Sequence, residues 1–161
     1  MGLISLFNMG GRFFWATTSD YIGRRNTYTL FFLLGILLYS TVPTLGHLGS
    51  IGLFVTAFCI ILSMYGGGFA TIPAYLRDVF GTYQVGAIHG RLLTAWSAAG
   101  VLGPVLISYI RDYQIDSGVP KAQAYSVTMY IMCCLLLIGF LCNFAMRAVE
   151  DKYFHRGSTQ P

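Results

Sequence analysis

Charge is what this sequence lacks. Only 10% of its 161 residues are Asp, Glu, Lys or Arg, against 55% that are hydrophobic. A soluble domain carries roughly a quarter of its residues as charges. The shortage, with a mean hydropathy of +0.63, points to lipid as the main solvent. Acidic residues number six, and none falls inside an apolar run. No intramembrane carboxylate pair is therefore available for acid–base chemistry. There is also no Ser–His–Asp arrangement and no phosphate-cradling loop, so the chain does not read as an enzyme. Paired Cys-x-x-Cys or Cys/His spacings, the usual mark of a metal site, are missing. Cys59, Cys133, Cys134 and Cys142 all lie in apolar runs and read as small packing residues. No metal and no cofactor are expected. A basic leader with a small-residue cleavage site, the mark of a secretory signal peptide, is missing too. The net charge of +4 does not signal nucleic acid, because Lys and Arg sit in short gaps between apolar runs.

What is there is long apolar runs. Five are visible, at residues 2–18, 27–45, 51–76, 88–110 and 122–146. About 20 residues of helix cross a bilayer core, so the last four qualify on length and scarcity of charge, the fourth being free of charge from Leu92 on. Backbone in lipid must satisfy itself, which makes each run helical; β-barrel strands would be shorter and would alternate. The expected fold is all-α and polytopic, with a bundle over residues 1–146 and a tail over 147–161. Alternate gaps lie on opposite sides of the bilayer. One side carries Arg24, Arg25, Arg77, Arg91, Arg147, Lys152 and Arg156, and the other Arg111 and Lys121. Seven against two predicts a cytoplasmic tail. The first run starts with no polar flank, which leads to the expectation that Met1 is not the ancestral start.

Arg12 sits inside the first run, where a charge costs at least ~2.5 kcal/mol. Ser5, Asn8, Arg12, Trp15 and Ser19 are spaced 3 or 4 apart and share one helix face. The fork of an Arg suits a carboxylate. Two readings stay open: contact with an anionic substrate, or an ion pair with a carboxylate from outside these runs. Asp20, Gly23, Arg24 and Arg25 form a charged turn. Ser63, Gly67, Ala70 and Ala74 make a small-residue ridge in the third run, and Ala95, Ala99 and Gly103 another in the fourth; such ridges let helices approach closely. Gly103-Pro104 is either a bend or plain packing. His89, near the arginine-rich side, reads as a surface histidine, with a proton relay as the alternative.

The run Ala16-Thr-Thr-Ser-Asp-Tyr-Ile-Gly-Arg-Arg25 resembles the cytoplasmic loop motif of the major facilitator superfamily, in the copy between its eighth and ninth helices. Ala16 departs from the usual Gly. Together with Asn8, Gly11, Arg12 and Trp15 the pattern is similar to the oxalate/formate antiporter family. Gly66-Gly-Gly-Phe-Ala70 and the stretch from Gly86 through Trp96 to Gly100 resemble its tenth and eleventh helices. The resemblance implies helices eight to twelve of a twelve-helix secondary transporter, a partial C-terminal bundle whose partner is the missing N-terminal half. It implies that Arg12 contacts substrate, that Tyr65 and Phe69 line the path, and that Trp96 stands where the family's oxalate carrier has a Lys. Asn8 and Trp15 join the substrate-binding set through the shared face. With one cation instead of two, a small monocarboxylate fits better than oxalate. The implied function is movement of small carboxylates such as formate, oxalate or pyruvate across the plasma (inner) membrane by alternating access. The alternatives are a membrane scaffold or partner subunit, a truncated product without activity, or a small homo-oligomeric carrier.

Overall fold

In the computed structural model, residues 2–47, 49–120 and 123–148 are described. Lys121 and most of the expected tail, including Lys152 and Arg156, lie outside the described residues. Five helices follow in order: α1 Gly2–Ile22, α2 Arg24–His47, α3 Ile51–Phe80, α4 Val85–Asp116 and α5 Ser126–Ala145. No strand occurs among the described residues. Helices α2 to α5 are each long and apolar enough to cross a membrane; α1, with Asn8, Arg12 and Asp20, is not among them. The protein is an integral membrane helix bundle.

The polar interval between Arg77 and Arg91 is mostly helical. Helix α3 continues to Phe80 and α4 starts at Val85. A helix does not end where its apolar stretch ends, because its hydrogen-bond ladder continues in water. Gly23 separates α1 from α2 at φ +88°, in the left-handed region that favours glycine.

Helix α1 lies along α3, and α2 lies along both α5 and α3; α4 only touches α3 and α5. The α1–α3 contact depends on missing side chains. A Cβ on Gly11 would overlap the Ser63 carbonyl, and one on Gly66 would overlap the Asn8 carbonyl. Gly67 faces the side chain of Trp15. Trp15 is buried, donates from Nε1 to Ser63 Oγ at 3.2 Å, and meets Phe31 edge-on at 4.9 Å. Helix α4 is the opposite case, with no buried residue. Its Gly100 and Gly103 have no neighbour where a Cβ would stand, and it runs through Pro104 without ending.

A polar network ties α2, α3 and α5 together. Asn143 is buried; its Oδ1 accepts from the Tyr75 hydroxyl at 2.8 Å, and its Nδ2 donates to Thr29 Oγ1 at 3.1 Å. Tyr28 stacks on Tyr75 with centroids 5.0 Å apart and donates to the Gly68 carbonyl at 2.7 Å. Removing one partner of a buried pair strands the other. Tyr75→Phe is therefore expected to lower stability by about 1–3 kcal/mol, read as a shifted midpoint of unfolding in mixed detergent micelles.

Candidate functional site

Arg12 is exposed on α1. Its aliphatic stem passes over Gly66 of α3. Its Nη2 donates to Asn8 Oδ1 at 3.5 Å, and Asn8 Nδ2 donates to the Leu62 carbonyl at 3.3 Å. Asn8 thus fixes one edge of the guanidinium while α3 fixes Asn8. Among the described residues, Arg12 has no carboxylate partner.

Next to Gly66, the chain turns three aromatics toward one another. Tyr65 and Phe69 of α3 have centroids 5.9 Å apart, Tyr65 and Trp96 of α4 lie at 5.5 Å, and Phe69 meets Trp96 edge-on at 4.3 Å. They line a cavity of about 450 Å³ between α3 and α4, closed on one side by Tyr28. Ala95 and Ala99 also line it, so this part of the α4 ridge is turned to the cavity. No Asp, Glu, Lys or Arg is among the lining residues. Such a wall suits an apolar or flat partner rather than a second charge.

The six expected binding residues therefore divide. Tyr65, Phe69 and Trp96 come together around the cavity. Arg12 and Asn8 meet the backbone of α3 at Gly66, one residue from Tyr65, but do not line that cavity. Trp15 is packed into the α1–α3 contact. His89 departs from the surface reading: it lines the cavity, and its Nδ1 is buried without a hydrogen-bond partner. It lies one turn inside α4, on the side facing α3, because the helix starts earlier than the apolar run suggests.

The charged turn is closed on itself. Asp20 pairs with Arg24 across Gly23, and Arg24 also donates to Ser19 Oγ and to the Ala16 carbonyl. Arg24 is mostly buried by this, with 16% of its side chain exposed. Arg25 points the other way, donating to the Phe144 carbonyl at 2.6 Å and lying over the Phe144 ring. The turn thereby links the end of α1 to the end of α5. No cluster of three or more potential metal ligands occurs among the described residues.

The sequence profile of the Major Facilitator Superfamily matches residues 1–160. An oxalate:formate antiporter from Oxalobacter formigenes is 32% identical over 99 residues, which cover 62% of this chain and 23% of that protein. The chain thus spans under a quarter of the length of the curated relative it matches. No solved structure matches. The aligned profile over nearly every residue, and the Asp20–Gly23–Arg24 turn between α1 and the membrane-type helix α2, lead to one conclusion: the chain belongs to the Major Facilitator Superfamily.

Proposed function

We propose that the chain is the C-terminal part of a secondary active transporter for small organic anions, mono- or dicarboxylates such as formate, oxalate or pyruvate, working by alternating access. The observation that carries this reading is Arg12: an exposed cation on the polar face of α1, held by Asn8, with no acidic partner among the described residues. Its fork would take a carboxylate through two parallel hydrogen bonds. Tyr65, Phe69 and Trp96 would pack on the apolar side of the anion. The Asp20–Arg24 pair, with Gly23 as its pivot, would serve as the hinge of the cytoplasmic gate. The carrier would sit in the plasma (inner) membrane with its C-terminus in the cytoplasm.

Helix α4 supports a further part of the reading. It has apolar surface all round and buries none of its residues in this bundle. Its natural cover is a second group of helices, the N-terminal half of the carrier. The expected result is that proteoliposomes made with these 161 residues alone take up no labelled formate, oxalate or pyruvate. Those made with the complete open reading frame that contains them do. Uptake by the 161 residues alone would overturn the need for a second half; no uptake by either would overturn the carrier.

A further inference from the structure

The aromatic cavity has two ends of different character. It runs along α3 from Met64 to Ile72 and along α4 from Ala99 back to His89. At 1.5 Å per helical residue that is roughly 12–15 Å. The end at Met64 and Ala99 is level with Gly66, over which the Arg12 stem passes. The other end, nearest the short link between α3 and α4, holds His89. Between them no charged side chain lines the wall. An anion moving from Arg12 toward the arginine-rich side would meet its next strong hydrogen-bonding group at the His89 imidazole.

His89 is free for that role. Its Nδ1 is enclosed by protein yet has no partner. With Nδ1 enclosed, a ligand in the cavity would meet the ring at its Nε2 edge. The other titratable groups at the cavity are Tyr28 from α2 and Tyr65 from α3. The Tyr28 hydroxyl is already engaged with the Gly68 carbonyl. Arg91, two residues along α4, is exposed and does not line the cavity. No group from α5 lines it.

We propose that His89 is an anion-contact residue at the cytoplasmic end of the cavity, its imidazole hydrogen-bonding a carboxylate of the substrate on its way between Arg12 and the cytoplasm. The inference rests on the carrier reading. An imidazole offers an N–H donor to a carboxylate in either protonation state.

The test uses inside-out vesicles holding the complete reading frame, with labelled formate, oxalate and pyruvate as probes. His89→Phe should raise the cytoplasmic-side KM by about tenfold, the loss of one charged hydrogen bond, while leaving KM from the opposite side unchanged. His89→Gln keeps a side-chain donor; it should hold an intermediate KM. If both variants keep the parent KM while Arg12→Ala stops uptake, the His89 inference falls and the carrier reading stands. If the parent moves none of the three anions in either direction, both fall.

Discussion

Arg12→Ala is expected to abolish uptake of small carboxylates while leaving the amount of folded protein unchanged. A fork donating two charge-assisted hydrogen bonds to a carboxylate contributes about 3 kcal/mol, or on the order of 100-fold in affinity. The structural loss is small. Arg12 is exposed, and its one side-chain hydrogen bond is a long one to Asn8. Removing the charge also removes the cost of at least ~2.5 kcal/mol for placing it in the bilayer, so the helix itself should insert more easily. Arg12→Lys separates charge from geometry. It keeps a cation but loses the planar pair of donors, and should restore only part of the uptake. Anion binding measured by isothermal titration and uptake measured with labelled formate check both variants. Unchanged binding in Arg12→Ala would remove Arg12 from the site.

The second large effect is structural. Gly66→Leu is expected to disrupt the α1–α3 contact, with a loss of about 3 kcal/mol or more, beyond the usual overpacking range because the clash is with backbone. A side chain there would drive into the Asn8 carbonyl, which belongs to the partner helix and has no rotamer by which to move away. It would also displace the stem of Arg12, so anion binding should fail together with stability. Gly100→Leu is the control. Its Cβ meets nothing within 4 Å, and its unfolding midpoint should match that of the parent. Both are read by unfolding in mixed micelles, with binding measured on the fraction that remains folded.

Much of this was legible in the sequence, and the remainder was hidden for physical reasons. Membrane-type helices announce themselves through run length and missing charge, which depend on composition alone. The turn at Asp20, Gly23 and Arg24 is likewise local, since a carboxylate and a guanidinium four residues apart meet whatever the rest of the chain does. The polar face of α1 was only half legible. Residues 12 and 15 share a face by spacing, but they differ by about 60° around the helix axis. That is enough to turn Trp15 into α3 and leave Arg12 exposed. The glycines of α3 were readable as a close-approach surface, though not which helix would use it. The pairing of Tyr75 with Asn143 spans 68 positions, and no periodicity carries that information. Its only local signal is an amide that follows a long apolar stretch near the end of the run. His89 was misjudged because apolarity marks where lipid begins, whereas the helix that carries the residue begins earlier.

The glycine-lined seat of α1 on α3 also bears on how the protein is made. Helix α1 emerges from the ribosome before α3, yet it carries Arg12 in its middle and is, at 21 residues, long enough but not apolar enough for a span. The groove that accepts it, at Ser63, Gly66 and Gly67, is synthesised only after α2 and nearly half of α3. Seating of α1 on this groove must therefore wait until α3 arrives. Biogenesis runs backward at this point, with the later helix completing the seating of the earlier one.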